Sequence, residues 1–90
     1  MSVEYYRKRL IDLRADVARE REEKKRDNER YADLIKGSNS PSAKASYRKS
    51  KIDHAASHDR AIERLKGEIE REREELARER EREKAAKKRR

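Results

Sequence analysis

Gly37-Ser38-Asn39-Ser40-Pro41-Ser42 gathers the only proline and one of the two glycines of this 90-residue chain among three serines and an asparagine. Each residue type suits a turn for its own reason: Gly for backbone freedom, Pro for a preset φ, Ser and Asn for side chains that bond the nearby backbone. On either side the pattern changes. Upstream, apolar residues recur at Val3, Tyr6, Leu10, Leu13 and Val17, and resume at Tyr31 and Leu34. Downstream they recur at Ile62, Leu65, Ile69 and Leu76. Alternating steps of three and four place each set on one stripe of a helix. Two stripes joined by one turn predict an all-α fold, two long antiparallel helices forming a coiled-coil hairpin that buries one seam against the other.

The expected boundaries follow from capping chemistry. The first helix is placed at residues 1–36, capped by Ser2 and ended by Gly37 in the left-handed conformation. The turn is placed at 37–42, with Ser40 or Asn39 capping the second helix and Pro41 in its first turn, where a missing N–H costs nothing. The second helix is placed at 43–83 and a basic tail at 84–90. Gly67 interrupts the second helix at a cost of up to ~1 kcal/mol without stopping it. The second arm is the longer, so its basic end is expected to project beyond the first.

A turn centred near Asn39 makes antiparallel partners sum to about 78 in residue number, by the short-loop rule for adjacent helices. Leu10, Leu13 and Val17 then face Ile69, Leu65 and Ile62. Val3 and Tyr6 face Leu76 and Glu72, and Tyr31 faces the neighbourhood of Tyr47. The expected interaction core is therefore Leu10, Leu13, Val17, Tyr31, Leu34, Tyr47, Ile62, Leu65, Ile69 and Leu76. The middle is weak, because the heptad puts Glu20, Lys24 and Asp27 on the seam. The opposing stretch offers only Ile52, Ala55 and Ala56 as apolar groups. Little area leaves water there, so a lone hairpin gains little from it. Association into a dimer or larger bundle is the expected remedy, with polar seam residues setting register and partner choice.

Composition narrows the function classes. Hydrophobic residues make up 31% and charged residues 53%, with no Cys, Trp or Phe, so a compact globular core is excluded. Lacking cysteine, the chain forms neither disulfides nor thiolate metal sites. No apolar run reaches the roughly 18 residues of a membrane span, and the expected location is cytoplasmic. There is no phosphate-binding glycine loop and no Ser placed as a nucleophile, so no catalytic residue, small-molecule substrate or cofactor is assigned.

The charge pattern has two parts. From Glu68 to Glu83, Glu and Arg alternate, which sets like charges at i,i+4 and favourable pairs at i,i+3, such as Glu79 with Arg82. Lys84, Lys87, Lys88, Arg89 and Arg90 have no balancing acid and supply much of the net charge of +8. Such a run can neutralise phosphates without reading sequence, since no aromatic is interleaved for base stacking. Nonspecific nucleic-acid contact through these five residues is the alternative to an assembly role. His54 and His58 stand at i,i+4, a spacing that lets two imidazoles share a metal from one helix face. The residues between them, Ala55, Ala56 and Ser57, supply no further ligand. The expectation is two solvated or pH-sensitive histidines and no metal site.

Tyr5, Tyr6, Arg9 and Leu10 form an opening Tyr-Tyr-x-x-Arg-Leu. Ser38, Ser40, Pro41 and Ser42 form the turn, and Ser46-Tyr47-Arg48-Lys49 follow it. This layout resembles a coiled-coil hairpin found at the start of some bacterial conflict-system proteins, ahead of effector domains such as TIR. The chain departs from that pattern in being rich in Arg and Glu. The resemblance implies a self-assembly or adaptor module with a homo-oligomeric or coiled-coil partner, and it supplies no catalytic or ligand residues.

Overall fold

A computed structural model describes residues 2–89 and contains two helices, α1 (Val3–Gly37) and α2 (Pro41–Lys88), and no strand among the described residues. The chain is a helical hairpin. Ser2 caps α1 by accepting the Tyr5 N–H on its Oγ at 3.3 Å, and Glu4 in the first turn complements the helix dipole. Ser40 caps α2 in the same way, accepting the Ala43 N–H at 3.3 Å, with Pro41 as the first helical residue.

Both helices end later than their composition suggested, α1 by one residue and α2 by five. Gly37 is the last residue of α1 and not a left-handed terminator, because no glycine has positive φ. The turn is therefore the three residues 38–40, tightened by the Ser38 N–H bonding back to the Ile35 carbonyl at 3.4 Å. The Ser40 N–H reaches Ser38 Oγ at 3.3 Å, so serine side chains do the work expected of glycine. At the far end α2 continues through Lys88, taking in Lys84, Lys87 and Lys88, which composition alone had set apart as a tail. No breaker lies among them, and Ala85 and Ala86 favour helix.

The chain divides into two compact units. The first joins residues 2–17 to 64–89. It buries Val3, Tyr6, Leu10, Leu13, Val17, Leu65 and Leu76, of which Leu13 is deepest at 2% exposure. Val3, Tyr6, Leu10 and Leu76 form one cluster, with half-buried Ile69 packed against it. Arg9 Nε approaches Glu72 Oε1 at 3.8 Å across the helices. The Glu–Arg tract is laced at i,i+3: Glu70–Arg73 at 3.0 Å, Glu75–Arg78, and Glu79–Arg82 at 2.6 Å. Exposed pairs of this kind contribute only a few tenths of a kcal/mol each.

The second unit spans residues 18–63 and holds the turn. Its one buried hydrophobic residue is Ile62, while Ile52 stands 68% exposed. Tyr31 and Tyr47 are half-buried, and the contact that Tyr31 makes on α2 lies seven residues beyond Tyr47. Tyr31 meets His54 instead, its hydroxyl 3.1 Å from Nε2 and the two rings 5.2 Å apart. Leu34 is 39% exposed and does not join a core. It lies one turn before the end of α1, where it lines an open hollow with Tyr47, Arg30 and Ser38. What holds this unit together is mainly polar.

Candidate functional site

Beyond Val17 the α1 heptad delivers Glu20, Lys24 and Asp27 to the face that α2 covers, and all three are half-buried. From α2 come His54, His58 and Asp59. His58 is the centre of the arrangement, with its side chain 16% exposed. Its Nδ1 lies 2.8 Å from Glu20 Oε2, and its Nε2 lies 2.7 Å from Asp27 Oδ2. Each carboxylate accepts from one ring nitrogen, so the imidazole fits the site with both N–H groups present, as the cation.

The electrostatics agree with that geometry. Hydrogen bonds to Glu20 and then Asp27 hold the His58 pKa above the ordinary histidine value, against an opposing push from partial burial. The hydrogen bond from His58 holds the Asp27 carboxyl below its ordinary range, with Arg30 and His54 adding to the effect and partial burial opposing it. His54 flanks this pair, with Nδ1 3.5 Å from Asp27 Oδ2 and Nε2 toward the Tyr31 hydroxyl. Lys24 Nζ bonds Asp59 Oδ1 at 2.7 Å. Arg30 approaches Asp27 at 3.6 Å and stacks over the Tyr31 ring at 5.1 Å. The result is an interhelical layer running Glu20, His58, Asp27, His54, Tyr31.

Pattern reading treated the two histidines as surface groups. Their neighbours along α2 supply no partner, whereas the fold brings partners from α1. Antiparallel pairing already contained the signal, since the arithmetic that sets Leu13 against Leu65 sets Glu20 against His58. Glu20, Glu23 and His58 each place a potential ligand atom within 4.8 Å of the others.

The remaining expected site residues are spread through the two units. Leu10, Leu13, Val17, Leu65 and Leu76 are buried in the first unit and Ile62 in the second. Lys84, Lys87, Lys88 and Arg89 are all exposed, and Arg90 lies outside the described residues; contrary to expectation Lys84 has a nearby acid, its Nζ 3.9 Å from Glu81 Oε1 one turn back. Tyr6 is a second polar point inside the first unit. Burial first, and then the nearby Glu75, Glu79 and Glu72 carboxylates, push its pKa above the ordinary tyrosine value, while Arg82 opposes them.

Comparison of the chain with protein-family models, with curated proteins and with solved structures gives no match. Among the described residues no helix is long and apolar enough to cross a membrane.

Proposed function

We propose that this chain is a structural and interaction protein, a coiled-coil hairpin for self-assembly or adaptor contacts in the cytoplasm, and not an enzyme. The observation that carries the reading is apolar surface left open beside the seam. In the first unit Ile11 is 65% exposed and lies with Leu10, Leu76 and Ala77 in a shallow groove between the helices, flanked by arginines. In the second unit exposed Ile52 lines a hollow with Ile35 and Ala55. A chain with so few apolar residues gains little by exposing two isoleucines unless another helix covers them. By its resemblance to conflict-system hairpins, the module would gather effector domains in a bacterial defence protein.

Light scattering coupled to size exclusion, at two protein and two salt concentrations, tests this. The expected result is a defined oligomer that survives high salt and loses mass in the Ile11→Asp/Ile52→Asp double variant. A wild-type monomer at every concentration would overturn self-assembly. A salt-sensitive mass would favour a second reading, nonspecific nucleic-acid contact. That reading rests on Lys84, Lys87, Lys88 and Arg89 standing exposed at the end of α2. It requires that removing residues 84–90 abolish binding to a duplex, with affinity falling steeply as salt rises.

A further inference from the structure

We propose that Glu20, Glu23 and His58 form a binding site for a divalent transition-metal ion of the zinc class, clamping α1 to α2 where apolar packing is thinnest. The donor set comes from both helices. Glu20 and Glu23 lie at i,i+3 on α1, one turn of the same face, and His58 meets them from α2 through Nδ1. Their ligand atoms already lie within 4.8 Å of one another. Bonds of about 2.0–2.2 Å from one ion leave tetrahedral donors about 3.4 Å apart. Closing that gap takes a small movement of side chains, and Glu23 is exposed and free to swing inward.

A second observation points the same way. A ligating histidine is held by a carboxylate on its other nitrogen, which fixes the ring and raises its basicity. His58 has that partner in place, with Nε2 2.7 Å from Asp27 Oδ2. Asp27 is itself steadied by Arg30 at 3.6 Å. The ring is thus oriented with Nδ1 toward the two glutamates, and an ion bound there takes the place of the Nδ1 proton, which is released to solvent. The charge balance also fits. Glu20, Glu23 and Asp27 bring three carboxylates to one imidazole, and the nearby Lys24 is engaged by Asp59 at 2.7 Å. One imidazole nitrogen with two carboxylates is a three-ligand set that leaves a fourth position open. Such mixed N and O donors suit Zn²⁺ and not the all-oxygen cages of Ca²⁺.

The test is titration calorimetry of Zn²⁺ into chelator-stripped protein, with melting followed by circular dichroism in Zn²⁺ and in chelator. One ion per chain should bind, and the melting midpoint should rise with Zn²⁺ concentration by mass action. Glu23→Gln should cut affinity at least tenfold. It should leave the melt in chelator unchanged, because Glu23 is exposed. Asp27→Asn should weaken binding roughly 10–100-fold through the lost orienting bond. Wild-type affinity in Glu23→Gln overturns the site. Absence of stoichiometric binding by the wild type overturns it too. Loss of binding in His54→Gln with retention in Glu23→Gln would move the ion to the His54/His58 pair and also overturn it.

Discussion

Leu13 is the residue on which the first unit's packing can be tested most directly. Its exposure is 2%, against 5% for Leu10 and 8% for Leu65. Truncation to Ala removes three methyl-sized groups, at about 0.8 kcal/mol each for transfer alone. An unrelaxed cavity adds to this, and measured Leu→Ala losses in well-packed cores run from about 2.7 to 5 kcal/mol. A two-helix layer can collapse more readily than a globular core, so Leu13→Ala should cost about 3 kcal/mol, near the lower end. Leu34→Ala is the matched control, the same chemistry at a site 39% exposed, and should cost under about 1 kcal/mol. For a domain of this size, a 3 kcal/mol loss lowers the melting midpoint by on the order of 15 °C. Urea denaturation followed by circular dichroism reads both variants, at one fixed protein concentration because association would add its own stabilisation. Equal losses in the two variants, or a Leu13→Ala loss below about 0.5 kcal/mol, would refute the assignment of Leu13 to the deepest layer.

Three further outcomes follow from the turn and the polar layer. Gly37→Ala should stabilise the fold by about 0.4–1 kcal/mol, because Gly37 is helical, and a Cβ there meets nothing within 4 Å. A loss of stability by chemical denaturation would show that the left-handed ending is the true one. The pH dependence should have two limbs when measured in chelator. His58 has a raised folded pKa, so its contribution is complete below the ordinary value of 6.5 and is lost as pH climbs through the folded value. Asp27 has a lowered folded pKa, so its contribution is present above 3.8 and is lost as pH falls through the folded value. Melting midpoints should therefore be highest between these limits, with Glu20, Glu23, Asp27 and Lys24 facing His58 from α1 and His54 and Asp59 beside it on α2. His58→Gln should flatten the alkaline limb, and an unchanged limb would remove His58 as its source. Finally, the triple variant Glu20→Leu/Asp27→Leu/His58→Leu should gain roughly 1–4 kcal/mol in urea denaturation while giving a broader range of oligomers by size exclusion. A destabilised triple variant would mean that the layer supplies stability and not register.

Much of this architecture was legible because heptad spacing is a long-range signal. Five α1 positions from Val3 to Val17 and four α2 positions from Ile62 to Leu76 each repeat the same step, and a turn between them admits few other folds. The ends were less legible. Whether Gly37 terminates a helix depends on the conformation of one residue, and the Ser38 and Ser40 side chains satisfied the turn before glycine was needed. Tyr31 was misplaced for a related reason. The expected partner was the neighbourhood of Tyr47, but His54, one heptad further along α2, offers both a ring nitrogen for the hydroxyl and a ring face. The His58 layer was hidden because Glu20, Asp27 and the histidines each resemble a solvated charge when read alone. They become a site only when the helices are laid side by side.

That layer also answers why a weak middle is kept in a hairpin with so few apolar residues. Leucine and isoleucine seams discriminate poorly between registers, because any apolar layer meets any other at similar cost. A one-heptad slip about the expected pairing would set Leu65 or Lys51 against Glu20. The first leaves a half-buried carboxylate facing an aliphatic chain, and the second leaves His58 without acceptors on both nitrogens. Only one alignment gives Glu20 and Asp27 one imidazole between them, at 2.8 and 2.7 Å. Losing a partner from a part-buried polar group costs more than the intact bond contributes, so the layer penalises slipped pairings more than it stabilises the correct one. The apolar seams then hold the hairpin closed, while the polar layer decides which closure is adopted.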